Sequence, residues 1–256
     1  FEAGAVSYLY YADRIYQINL AIAGIAVGTV VLPELSKNIK IKNFKNAMNI
    51  QNKSLELCLL FSLPACFGLI IASEEIVSAL FGYGSFSEEN VILTAEALKY
   101  FGYGVPAFAL IKVLSNFLFA RDNTKVPFYI STFIVFLNIL ISLIYFKEVG
   151  FVIIPIATSI STWIGVSIYS ILLIKFKYFS FESTFFVNLL KVFISLVIMT
   201  LMLYCSINFF EDKLIYNNYY KSIYLIIIVF LAAAAYLLCA RLLGVFKIKN
   251  FVTNKK

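Results

Sequence analysis

The sequence predicts an all-α integral membrane protein, a polytopic bundle of seven transmembrane helices. Of its residues 62% are hydrophobic and only 14% charged, and the mean hydropathy of +0.90 lies far above that of a soluble domain. Apolar runs of about twenty residues recur along the whole chain, each long enough to cross a ~30 Å hydrocarbon core at ~1.5 Å per residue. No soluble domain is left between them.

The apolar runs and their breakers place the spans in order. The first covers residues 5–32 and ends before Lys37. The second, 55–72, follows Lys53 and stops at Glu74 and Glu75. The third, 91–119, begins after Glu88 and Glu89 and ends before Arg121. The fourth, 127–146, lies between Lys125 and Lys147, and the fifth, 151–174, stops at Lys175 and Lys177. The sixth, 185–208, ends before Lys213, and the seventh, 222–244, runs from Lys221 to the basic tail.

Lysine and arginine in the short loops orient the bundle. Lys37, Lys40, Lys42, Lys45 and Lys53 follow the first span, Arg121 and Lys125 the third, Lys175 and Lys177 the fifth, and Arg241, Lys247, Lys249, Lys255 and Lys256 the seventh. The loops on the other side hold Lys147, Lys213 and Lys221, with Lys99 nearby. The basic side is expected to be cytoplasmic, with the C-terminus there and Phe1 outside. An odd number of spans, a first residue other than Met and the lack of a signal peptide give the expectation that upstream helices are missing, so that residues 1–256 are a fragment. Within residues 38–53, Ile41, Phe44 and Met48 fall on one helical stripe among lysines. That pattern suits either a short helix at the headgroups or a solvated loop.

Several chemistries are excluded by residue type. Histidine is absent, which removes Ser/His/Asp and Cys/His nucleophilic sites. No phosphate-cradling glycine loop occurs, so ATP-driven transport is not expected. Cys58, Cys66, Cys205 and Cys239 lie in apolar runs without metal-ligand spacing and are expected to pack within the membrane. No metal and no cofactor are expected. The net charge of +7 sits in membrane loops rather than on a nucleic-acid-binding surface.

Charged residues inside a span cost about 2.5–3.5 kcal/mol on insertion scales and are the natural candidates for function. Asp13 and Arg14 lie about nine residues inside the first span, ~13 Å deep by helical rise. Adjacent helical residues point about 100° apart, so each is expected to face its own partner. Tyr10 and Gln17 share the face of Arg14, continued by Ala21 and Gly28 with Gly24 at the edge. An Asp/Arg lock between helices is one reading. The other is a phosphate ligand, because guanidinium binds phosphate oxygens through a fixed fork of donors. Lys112 and Lys191 are read as interface anchors. Asn138, with Thr158, Ser159 and Ser161, is read either as a small-cation site or as interhelical glue. Pro64, Pro106 and Pro155, with Gly102 and Gly104, mark expected kinks.

The run GAVSYLYYADRIYQINLAIAGIAVGTVVLPELSK (Gly4 to Lys37), the LFGYGSF loop (Leu80 to Phe86) and ARDNTKVP (Ala120 to Pro127) resemble, in this order, segments of the MurJ/MviN lipid II flippases of the multidrug/oligosaccharidyl-lipid/polysaccharide exporter superfamily. The resemblance implies helices eight to fourteen of a fourteen-helix, two-lobed flippase, with the N-terminal lobe absent. It implies a transporter rather than an enzyme. That transporter moves lipid II across the bacterial inner membrane by alternating access, driven by membrane potential or sodium. Arg14, preceded by Asp13, matches the essential arginine of helix eight, and Asn138 and Thr158 match polar positions of a sodium site. The acidic residue expected one turn after Asn138 is Ser142 here. The lipid-tail groove would fall on the last two spans. Other readings are a flippase for another polyprenyl-diphosphate-linked glycan, or a non-transporting scaffold of cell-wall synthases.

Overall fold

The computed structural model describes residues 4–20 and 26–245, with their side chains except at 19, 20 and 26–30. Helices follow one another as α1 (Ala5–Leu20), α2 (Ala26–Lys40), α3 (Phe44–Ile71), α4 (Ser73–Phe81), α5 (Glu88–Phe119), α6 (Lys125–Val149), α7 (Ile153–Lys175), α8 (Ser183–Phe209), α9 (Glu211–Leu214) and α10 (Lys221–Leu242). A 3-10 turn at Gly150–Val152 joins α6 to α7. Among the described residues there is no strand, as expected where lipid offers no partner to open backbone groups. Among the described residues five segments are long and apolar enough to cross a membrane: α3, α5, the stretch Lys125–Lys175, α8 and α10. The third of these segments bears Gly150 at φ 75°, and there it divides into α6 and α7. The chain is thus a multi-pass helical membrane protein.

Two compact units divide the chain, Phe1–Glu182 and Ser183–Lys256. In the first, α5 is the hub, packed by α1, α2, α3, α4 and α7. Between apolar helices in lipid the gain comes from close packing rather than from leaving water, which favours small residues. Accordingly Ala97, Gly102, Gly104, Ala107 and Ala109 are all buried along α5. Among the described helices, α5 and α3 start on side-chain caps. Ser87 Oγ accepts the Asn90 amide at 3.3 Å at the head of α5, where Glu88 and Glu89 also suit the helix dipole. Asn43 Oδ1 accepts the Asn46 amide at 3.2 Å at the head of α3. By contrast α6 packs mainly on α7, and of its 25 residues only Pro127 and Ile130 are buried. In the second unit α8 and α10 pair along Val192, Leu196, Met199 and Leu203 and along Leu225, Ile228, Ala232 and Tyr236, spaced by three and four residues.

The structure changes several expectations. Residues 38–53 form neither a separate headgroup helix nor a loop: α2 continues to Lys40, and α3 begins already at Phe44. The elbow between them is pinned where Asn46 Nδ2 donates to Asn38 Oδ1 at 2.8 Å. Burial of Gln51, Asn52 and Ser54 keeps this polar stretch helical. The loop between the second and third spans contains α4, whose Ser73, Val77, Ser78 and Ala79 are buried. Pro155 lies in the first turn of α7, where a missing N–H costs the helix nothing, so the kink expected there does not follow. The expected first span, 5–32, falls on α1 and α2, and residues 21–25 lie outside the described ones.

Four of the described helices end in one way. After α2, α5, α7 and α10 the residues Lys42, Asp122, Lys177 and Gly244 adopt φ of 58°, 56°, 56° and 73°. In each case the next amide donates five residues back: Asn43 to Asn38, Asn123 to Leu118, Tyr178 to Leu173 and Val245 to Ala240. These are six-to-one helix-terminating turns, which a left-handed residue makes possible.

Candidate functional site

Helix α1 has two faces. Ala5, Ala12, Ile15 and Tyr16 are buried, and Tyr16 stacks on Phe101 of α5 at 5.2 Å and meets Phe108 edge-on at 5.3 Å. Nearer its start, Tyr8 donates to Asn90 Oδ1 at 2.8 Å and Tyr11 packs between Phe81 and Phe86. The LFGYGSF segment is therefore docked against α1. On the other face Val6, Tyr10, Arg14, Gln17 and Ile18 are exposed.

Arg14 lies on that open face, its guanidinium carbon 4.8 Å from the Tyr10 ring centroid. A cation held over a ring uses the flat face of guanidinium, leaving the N–H fork directed around its edge. Asp13 is half-buried and accepts a hydrogen bond from Gln17 Nε2, one turn along. Gln17, assigned by sequence to the face of Arg14, thus serves Asp13. Two neighbouring charges with different partners leave the guanidinium fork geometrically able to receive an anion. The small-residue strip at Ala21, Gly24 and Gly28 lies outside the residues with described side chains.

Asn138 and Thr158 are brought together across α6 and α7. Asn138 Nδ2 donates to Thr158 Oγ1 at 2.8 Å, and Thr158 Oγ1 donates to the Ile154 carbonyl at 2.7 Å. Ser142, one turn along α6, has a buried hydroxyl without a partner. The two side chains form an interhelical hydrogen bond as they stand. Ser159 reaches the other way, to the Tyr100 carbonyl of α5 at 2.7 Å, and Ser161 bonds within its own helix.

The remaining candidates separate. Lys112 is exposed and Lys191 half-buried. Cys58 and Cys66 are buried, Cys239 is half-buried and Cys205 is exposed on the apolar helix α8. Sequence reasoning counted Lys221 only among the loop lysines opposite the basic side, whereas it is 1% exposed and donates Nζ to the Tyr216 carbonyl at 2.7 Å while lying over the Tyr216 ring. It also passed over Asn52 and assigned Arg121 only to the basic side. Both hold the chain segment after α7. Asn52 bonds the Met48 carbonyl within its own helix, but the segment it holds lies some 130 residues away, where no local signal reaches.

The profile of the family described as "Lipid II flippase MurJ" matches residues 1–230. The chain belongs to the MurJ lipid II flippase family. A probable lipid II flippase MurJ of Rhizobium tropici is 39% identical over 164 residues, covering 64% of this chain and 31% of that protein. One of Buchnera aphidicola subsp. Acyrthosiphon pisum is 27% identical over 261 residues, covering 99% of this chain and 50% of the relative. A solved lipid II flippase MurJ in an inward closed conformation superposes with a TM-score of 0.76 at 28% identity, over 93% of this chain and 47% of that one. The chain therefore spans at most about half the length of these MurJ relatives.

Proposed function

We propose that residues 1–256 form the C-terminal transmembrane lobe of a lipid II flippase of the bacterial inner membrane, crossing seven times as helices eight to fourteen of fourteen. The complete transporter moves lipid II to the outer leaflet by alternating access, for peptidoglycan synthesis, and makes or breaks no covalent bond. Support comes from the names of the relatives, all lipid II flippases, and from the lysine-rich helix ends, which suit a cytoplasmic side and a cytoplasmic C-terminus. Membrane potential or sodium supplies the energy in this reading, with Asn138 and Thr158 as the candidate cation ligands. Lipid II is the substrate partner, and cell-wall synthases are the further protein partners considered.

The observation that carries the mechanism is the position of Arg14 on the open face of α1. A diphosphate entering the membrane loses water. A guanidinium fork replaces part of that hydration with two parallel, charge-assisted hydrogen bonds. Tyr10 supports the fork from one side and confines its plane. Asp13, tied to Gln17, keeps a negative charge beside the arginine, so that release of the phosphate does not strand an isolated cation.

Complementation of flippase-depleted cells by the full-length protein tests this. Arg14→Ala is expected to insert at the normal level and to fail, and Arg14→Lys to rescue at most partly, because an ammonium is a point charge without a planar fork. A functional Asp13→Asn/Arg14→Gln double variant would show that the pair is a helix lock instead.

A further inference from the structure

The middle of α5 is a proline-broken stretch held from three sides. Pro106 has no N–H to offer the Gly102 carbonyl one turn earlier. Close neighbours are admitted by the glycines beside it. A Cβ on Gly102 would lie 3.2 Å from Leu69 Cβ of α3, and one on Gly104 would lie 2.7 Å from Ser159 Oγ of α7. From α7, two side chains one turn apart donate into the backbone of this stretch: Ser159 Oγ to the Tyr100 carbonyl at 2.7 Å, and Trp163 Nε1 to the Tyr103 carbonyl at 3.0 Å.

From α1, Tyr16 spans the same stretch. Its ring touches Phe101, just before Gly102, and Phe108, just after Pro106. Its hydroxyl is buried and has no hydrogen-bond partner. An unpaired donor in an apolar layer is costly. Here it stands beside a stretch in which one helical amide donor is missing. In the described arrangement the backbone oxygens at Tyr100 and Tyr103 take donors from α7, while the Tyr16 hydroxyl has none.

We propose that Ser159 and Trp163 are positioning residues that latch the proline-broken stretch of α5 and, through Tyr16 astride it, set the placement of α1 and of Arg14. This rests on the reading of Arg14 as the diphosphate ligand. Loss of the latch frees α5 to bend, and α1 moves with it because Tyr16 is seated on both sides of the break. Arg14, two residues from Tyr16, is then held less firmly toward its ligand. Neither Ser159 nor Trp163 touches the substrate in this account.

The test uses the full-length protein with nitroxide labels at Ile18 of α1 and Lys112 of α5, both exposed. Spin-label distances and flippase complementation per molecule of membrane-inserted protein are measured for wild type, Ser159→Ala/Trp163→Phe and Arg14→Gln. Phenylalanine keeps a ring at 163 and removes the N–H. Two hydrogen bonds of this kind shift a population by roughly tenfold. The double variant should therefore broaden or displace the Ile18–Lys112 distances and lower transport about tenfold at unchanged abundance. Arg14→Gln should abolish transport and leave the distances as in wild type. Unchanged distances in the double variant, or a fall in abundance with normal transport per molecule, would overturn the latch and leave Ser159 and Trp163 as helix glue. Transport retained by Arg14→Gln would instead overturn the ligand reading on which the latch rests.

Discussion

Arg121 holds Tyr178 twice: its Nη2 donates to the Tyr178 carbonyl at 2.8 Å, and its guanidinium lies 4.5 Å from the centroid of the Tyr178 ring. Its Nη1 donates to the Phe117 carbonyl at the end of α5 at 2.6 Å. Asn52 of α3 grips the same segment further on, donating to the Ser180 carbonyl at 3.0 Å and accepting the Glu182 amide at 3.1 Å. Phe179 is buried against Phe117. The segment that leads out of the first unit is thus bound along its length.

Replacing Arg121 by alanine should loosen that segment by about 2 kcal/mol, the worth of a charge-assisted hydrogen bond and a ring contact. Lysine should restore only part of this, since it cannot bond both carbonyls in one plane. Trypsin cleavage after the exposed Lys177, followed in detergent, is the measurement. An Arg121→Ala protein cut no faster than wild type would refute the clamp.

Lys177 occupies a left-handed position at φ 56°. A residue with a Cβ pays roughly 1 kcal/mol there that glycine does not. Lys177→Gly is expected to raise thermal stability, with Lys42→Gly, at φ 58°, behaving alike. Asp122→Gly should gain less, because aspartate tolerates this region better. A lower melting temperature for Lys177→Gly would argue against the assigned turn.

For the Asn138–Thr158 pair, sodium is the discriminating variable. If the two side chains ligate a cation, sodium should raise the melting temperature of the full-length protein, and Asn138→Ala/Thr158→Val should abolish that increment. If they serve only as glue, the variant should lose about 1 kcal/mol at any sodium concentration. Thermal unfolding in sodium and in potassium buffers separates the two.

Glu75 of α4 supplies a pH dependence. Its Oε2 is buried without a partner, and burial first, then the neighbouring Glu74 charge, holds its carboxyl above the usual glutamate range against a lowering backbone hydrogen bond. The folded state therefore keeps its proton more tightly than the unfolded state does. The stabilising contribution is complete below the ordinary glutamate pKa and is lost as pH rises through the elevated folded value. Glu75→Gln should flatten the decline in melting temperature over that window. An unchanged pH profile would refute this.

Helix existence was legible because lipid demands it. A run of twenty apolar residues has no other way to satisfy its backbone, and α5, α8 and α10 lie where hydropathy put them within a few residues. Invisible in that reading was α4, nine residues with one buried face, while for the first turns of α3 it offered a short helix or a loop without deciding between them. Both owe their helicity to neighbours rather than to composition. At the site, periodicity singled out Arg14 and Tyr10 correctly as companions, because that relation is local to one helix. Gln17 went to Asp13 instead, since it lies one turn from either residue and only side-chain placement decides. The contacts of Asn52 and Arg121 with residues 178–182, and of Ser159 and Trp163 with α5, join segments far apart in the chain. No window of sequence contains them.

The sparse attachment of α6 has a mechanical consequence. With two buried residues among 25 and a length of roughly 37 Å, α6 leans on its own unit mainly through α7. A helix held in this way responds to bilayer thickness, tilting when the hydrocarbon thins. The Asn138–Thr158 bond lies on the one side where α6 meets α7. A tilt of α6 would strain that contact before any other, so the lipid composition around the protein would act on this polar pair as a mechanical load.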